Sequence, residues 1–134
     1  MTRKILSSAL ALTGLLIFLG AFGHSFLGRK TLDIGLARAA LDTHTEKLIY
    51  LVWYFCGGCM LVLGLLVIAG AWRAWRGENR WLPVAVLIGI FYLLTGVLSL
   101  IYMKEAFWAT FVVLGSLSLI LSLALTSGRQ EPVR

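Results

Sequence analysis

Charge is what this sequence has least of where it has most length. Four stretches, Ile5 to Gly23, Leu48 to Ala71, Leu82 to Met103 and Ala106 to Thr126, contain no Asp, Glu, Lys or Arg at all. Each runs 19 residues or more, which as a helix rising about 1.5 Å per residue crosses a hydrocarbon layer about 30 Å thick. With charged residues at 13% and mean hydropathy of +0.91, an ordinary soluble domain is excluded, because its charged fraction would be about a quarter. Cysteine is scarce too, with two in 134 residues, so no disulfide framework holds the chain together. No carboxylate lies within a span, which argues against proton-coupled export of cationic compounds, since cation and proton would compete for that group. Soluble segments are short and low-complexity runs are missing, so residues 1–134 read as a single membrane domain.

The expected fold is therefore all-α, a four-helix transmembrane bundle with spans at about 5–23, 48–71, 82–103 and 106–126. The basic start, Thr2-Arg3-Lys4 before an apolar run, imitates a secretory signal, but the run is longer than an ordinary signal core and is read as an uncleaved first span. A net charge of +6 does not point to nucleic acid, because the basic residues sit beside span ends and form no run or patterned face. Arg3, Lys4, Arg73, Arg76, Arg80, Arg129 and Arg134 share one side, against Arg29, Lys30, Arg38, Lys47 and Lys104 on the other. That bias places both termini in the cytoplasm of a multi-pass protein.

Small residues supply the packing expectation. They recur every seventh position as Ser7, Gly14, Ala21, then Gly57, Gly64, Ala71, then Gly89, Gly96, then Gly115, Ser122. In lipid no hydrophobic force joins helices, so close backbone approach at such residues takes over, and a period of seven holds one stripe in a left-handed bundle. Between spans one and two, Leu32, Leu36, Ala40 and Leu41 at helical spacing predict a short interfacial helix along the outer membrane surface. Thr43-His44-Thr45-Glu46 has the form of a capping box, with Thr43 as cap and Glu46 reaching back at the start of span two.

Chemistry has few candidates. Cys56-Gly57-Gly58-Cys59 is a C-x-x-C, and at i, i+3 the two α-carbons stand about 5 Å apart, inside disulfide range. Their depth, about 12 and 16 Å beyond Leu48, suppresses thiolate formation unless a quinone enters laterally. A quinone-linked thiol oxidoreductase using Cys56 and Cys59 is thus the enzymatic alternative, with quinone required only under that reading. No second cysteine pair is present to relay oxidation, and small apolar packing residues explain both cysteines as well. At the outer end, His24, Ser25, His44, Trp53 and Tyr54, with Tyr50, Lys104 and Glu105 nearby, form a candidate ligand-binding cup. The two histidines sit without further donors at ligand spacing, so neither metal nor any other cofactor is expected. Within the ten residues 72–81, Trp72, Arg73, Trp75, Arg76, Arg80 and Trp81 make an anchor for the headgroup layer, and an anionic-lipid-binding module is a further alternative.

His24-Ser25-x-Leu27-Gly28 closing span one, Leu51-x-Trp53-Tyr54 opening span two and Trp108 leading span four resemble a family of uncharacterised small bacterial four-span membrane proteins. Members carry an acidic residue after that glycine and a histidine after the tryptophan, where this chain has Arg29 and Tyr54. The resemblance implies a bacterial inner-membrane location and no established activity. The reading is then a non-enzymatic scaffold or accessory component, seated in the lipid bilayer and associating with itself or a larger membrane complex.

Overall fold

The computed structural model describes residues 2–127, and among them every regular element is helical. Helix α1 (Thr2–Phe22) passes through one π turn (Gly23–Leu27) into α2 (Gly28–Ala39); α3 (Thr43–Trp75), α4 (Leu82–Met103), a 3₁₀ turn (Ala106–Trp108) and α5 (Ala109–Ser127) follow. Four helices are long and apolar enough to cross a membrane: Thr2–Ala39, Thr43–Trp75, Leu82–Met103 and Ala106–Ser127. The expected all-α four-helix bundle of a multi-pass membrane protein is what the chain forms. Residues Arg129 and Arg134, counted in the charge bias, lie outside the described residues.

The helices form a square in which α1 neighbours α3 and α5, and α4 neighbours α5 and α3. Two edges dominate, α1 with α3 and α4 with α5. All ten small residues of the sevenfold stripe are buried, and the glycines explain why those two edges are closest. A Cβ on Gly64 would stand 2.6 Å from the Phe18 backbone nitrogen and 2.9 Å from the Gly14 carbonyl oxygen. A Cβ on Gly89 would stand 2.7 Å from the Leu119 nitrogen, and one on Gly115 would meet the Leu93 nitrogen closer still. Main chain lies on main chain at both seams, which hydrogen alone at Cα permits. Ser118 reinforces the second seam by donating to the Ala85 carbonyl at 2.9 Å across the two helices. Thr13 and Thr126 bond within their own helix, to the Ala9 and Ser122 carbonyls, while the buried hydroxyls of Ser7, Tyr92 and Ser122 have no partner among the described residues.

One apolar core runs through the half of the square nearest the start of α1, joining Leu10, Ile17, Val67, Ala71, Leu82, Ile88, Tyr92 and Leu125. The outside is equally apolar, with Phe55 69% and Leu98 65% exposed. A surface of that kind requires lipid as its solvent.

Gly28 to Lys47, expected to hold a separate interfacial helix, divides instead. Gly28–Ala39 prolongs the first span as part of one 38-residue helix, because no proline interrupts the ladder and the π turn absorbs the change of pitch. The stop comes at Ala40, whose φ of 47° is left-handed. Helix α3 is capped by Asp42 rather than Thr43: its carboxylate accepts the amides of His44 at 3.0 Å and Thr45 at 3.1 Å. Thr43 is already the first helical residue, so its hydroxyl is one position too late, and the carboxylate is also favoured by the helix dipole. The Thr45 hydroxyl and both amides hold the Asp42 carboxyl below its ordinary value. A group whose folded pKa is depressed stabilises above its unfolded pKa and loses that contribution as pH falls through the folded one. Asp42→Ala is accordingly expected to speed hydrogen exchange at His44 and Thr45, and acidification below the ordinary carboxylate range to do the same in the parent chain. Equal protection in the variant would show that another group caps α3.

Candidate functional site

The end of the bundle farthest from the start of α1 gathers most of the polar candidates. The π turn carries His24 and Ser25 to the face of α3. His24 stacks on Trp53 with centroids 4.0 Å apart and planes at 20°, and its Nε2 lies 3.1 Å from the Trp53 carbonyl oxygen. A carbonyl only accepts, so in the neutral ring Nε2 carries the proton and Nδ1 remains an acceptor. Two glycines make this approach possible. A Cβ on Gly28 would sit 2.7 Å from Trp53 Cζ2, and one on Gly57 would collide with the Ser25 hydroxyl. The Trp53 indole N–H is buried without a hydrogen-bond partner among the described residues.

Outside this stack lies a second cluster. Arg29 donates to the Tyr54 hydroxyl at 2.7 Å and lies over the rings of Tyr50 and Tyr54. Tyr50 donates to Asp33 at 2.7 Å, and Asp33 pairs with Arg29 at 3.7 Å. The cluster is exposed, so each ion pair contributes little and the network acts by fixing α2 against α3. Arg29 and Tyr54, the two residues that depart from the resembled pattern, thus bond to each other.

His44 is not part of either group. It sits exposed in the first turn of α3, nine residues before Trp53 and so about 13 Å away along the helix, which separates it from His24. Lys104 adopts φ of 55° and returns its amide to Leu100 at 3.1 Å, making Lys104-Glu105 the tight turn between α4 and α5. Cys56 and Cys59 are both free thiols on the exposed face of α3. Cys56 lines a shallow apolar groove with His24, Leu48, Ile49, Val52 and Trp53.

The opposite end, residues 72–81, is tied down more than its composition suggested. Gly77, at φ 95°, closes α3 by a paired C-terminal motif, with Glu78 N–H to Arg73 at 2.9 Å and Gly77 N–H to Ala74 at 3.0 Å. Arg73 pairs with Glu78 at 3.2 Å and covers the Trp81 ring at 5.0 Å. Arg3, from the start of α1, donates through Nε to the Ala74 carbonyl at 2.8 Å and through its fork to Asn79 Oδ1. Asn79 in turn donates to the Leu125 carbonyl at 3.4 Å. Trp72, Trp75, Arg76 and Arg80 face outward.

Sequence reasoning did not single out Arg3 or Asn79 as site residues. The available signal was Asn79, the one side-chain amide in the hairpin Trp72–Trp81, which can both donate and accept. No protein-family model, curated protein or solved structure matches the chain.

Proposed function

We propose that the chain is a non-enzymatic structural or accessory component of a bacterial inner membrane, associating with copies of itself or with a larger membrane complex. One observation carries this reading: polar side chains at both ends are engaged in helix-to-helix ties. Arg3 reaches Ala74 and Asn79, Asn79 reaches Leu125, Arg29 reaches Tyr54 and Tyr50 reaches Asp33. Such ties fix a shape and leave the apolar circumference as the surface offered to partners. The bacterial inner membrane comes from the resemblance carried by His24-Ser25-x-Leu27-Gly28. Cytoplasmic termini come from the basic residues beside the start of α1 and in the hairpin, Arg3, Lys4, Arg73, Arg76 and Arg80.

The reading is tested by photo-crosslinking side chains placed at Phe55, Leu94 and Ile120, on three exposed faces. Discrete protein adducts from one face support it, and lipid adducts alone from all three overturn it. It further requires Cys56 and Cys59 to stay reduced in native membranes whatever the oxidation state of the quinone pool, as read by maleimide mass tagging. A disulfide that follows that pool would instead support the thiol oxidoreductase alternative.

The lipid-binding alternative has its own observation, the outward Trp72 and Trp75 beside Arg76 and Arg80. Arg73, already paired with Glu78, is the weaker contributor. Arg76→Gln and Arg80→Gln should each lower co-purified anionic lipid about fivefold, as each basic side chain at an anionic surface contributes about 1 kcal/mol. Native mass spectrometry reads this directly, and unchanged lipid occupancy in the double variant removes the alternative.

A further inference from the structure

Residues seven apart lie on the same side of a helix to within about 20°, so the inward side of each span can be followed from the near end of the bundle, at the start of α1, to the far end. On α3 that line runs from buried Gly70 through half-buried Leu63 to exposed Cys56. On α4 it runs from Ile88, 5% exposed, through half-buried Thr95 to Tyr102, 89% exposed. On α1 it passes from buried Leu10 and Ile17 to half-buried His24, and on α5 from Leu114, 9% exposed, to Phe107, 64% exposed. All four helices lose cover towards the same end.

The cover is not lost within the close pairs. At the far end of α1 and α3 a Cβ on Gly57 would still collide with the Ser25 hydroxyl, and on α4 a Cβ on Gly96 would stand 2.6 Å from the Val112 nitrogen. What opens is the space between the two pairs. The groove beside Cys56 is walled by His24 and residues of α3, with none from α4 or α5, and no hydrogen bond joins the pairs at the far end among the described residues. The near end is tied, by Arg3 to Asn79 and by Asn79 to Leu125, and by Gly70, where a Cβ would stand 3.5 Å from the Trp81 carbonyl oxygen. Two stiff bodies joined at one end have the geometry of a hinge.

We propose that the α1–α3 pair and the α4–α5 pair pivot about the near end, opening and closing the cleft between them. Seams of main chain on main chain keep each pair rigid, whereas the far half between the pairs holds few buried contacts and yields first. Opening costs little, because lipid tails solvate the parted faces as well as leucine does. The opposed Gly70 and Trp81 fix the register of closure. Fourteen residues along each helix from that contact stand Cys56 and Thr95, about 21 Å away. Both are small, so the closed form brings α3 and α4 together there by the close approach that the glycines provide elsewhere. A pivot of about 15°, the size of known rigid-body rearrangements, moves the two by about 5 Å relative to each other at that distance. This motion goes beyond the structural role and does not depend on it.

The test measures distances between paired spin labels on the whole protein in lipid nanodiscs, in a Cys56→Ser, Cys59→Ser background. Val52→Cys with Tyr102→Cys spans the cleft. Leu98→Cys with Val113→Cys lies within the α4–α5 pair, and Leu65→Cys with Leu87→Cys spans the two pairs nearer the hinge. All six sites are exposed. The expected result is a distance distribution across the cleft about twice as wide as in either control, the controls staying narrow as rigid bodies require. The closed form is trapped separately: Thr95→Cys with Cys59→Ser, oxidised by copper phenanthroline, should form an intramolecular disulfide to native Cys56, read by mass spectrometry. The proposal is overturned if either control is as broad as the pair across the cleft, or if no such disulfide forms.

Discussion

Gly115→Leu should separate α4 from α5 and give the largest loss of stability of any single substitution in the chain. The Cβ alone would meet the Leu93 backbone nitrogen and stand 2.8 Å from the Gly89 carbonyl oxygen. Neither atom can rotate away, because both belong to the main chain of the facing helix. Relief requires the axes to move apart, and moving them also breaks the Ser118 to Ala85 hydrogen bond one turn further along. Overpacking a core generally costs about 1 to 3 kcal/mol; with backbone as the obstacle, a loss of about 3 kcal/mol or more is expected. No hydrophobic force between helices compensates, because lipid tails solvate the opened faces as well as leucine does. Unfolding in mixed micelles by titration with dodecyl sulfate, followed by circular dichroism, measures the loss. Gly58→Leu is the control: it is exposed, with nothing within 4 Å of a new Cβ, and it should leave the midpoint unchanged. Equal midpoints for the two variants would mean that the seam contributes nothing to stability.

The second large effect belongs to Arg3. Its guanidinium bonds to Ala74 and Asn79 at once, so one side chain ties the start of α1 to the end of α3 and to the hairpin. Arg3→Met keeps the aliphatic stem and removes both bonds. Hydrogen bonds to charged groups contribute about 1.5 to 3 kcal/mol in net terms, and a loss near 2 kcal/mol is expected here. Arg3→Lys should recover only part of it, because an ammonium lacks the planar fork that meets two acceptors from fixed directions. Hydrogen exchange gives the local test: the amides of Gly77 and Glu78 should lose protection in Arg3→Met while those in the middle of α4 keep theirs. Unchanged exchange at both amides would show the tie to be incidental.

These two positions differ in how visible they were in the sequence. Gly115 belongs to a period of seven that any reader can count, and the bundle places all ten residues of that stripe inside. Spans were equally legible, since length and absence of charge suffice to define them. Arg3 looked like a flanking charge for orientation, and its partners, a carbonyl oxygen and an asparagine 76 positions away, have no local signature. The cap of α3 was misplaced by one residue because Asp42 and Thr43 are both good caps; which one serves depends on where the left-handed Ala40 ends the preceding helix. At the candidate site, His24, Ser25 and Trp53 were marked from composition and do meet, whereas His44 was grouped with them only because both histidines are near span ends. The π turn that brings His24 to Trp53 was not legible. Its geometry depends on Gly28 and Gly57 making room for side chains of the opposite helix, a property of pairs rather than of any segment.

The close pairing of α1 with α3, and of α4 with α5, joins spans that follow each other in the chain. Each pair is a hairpin of spans that are neighbours in the chain, so neither has to wait for the other to be synthesised. The first hairpin can close once Trp75 has emerged from the ribosome, before α4 has done so, and domains emerging amino-terminus first fold in that order. Interactions between hairpins come last and are the sparser ones. A ribosome stalled with Trp75 just clear of its exit tunnel would therefore already hold a closed pair of helices in the membrane, with Arg3 in position for an asparagine still to arrive.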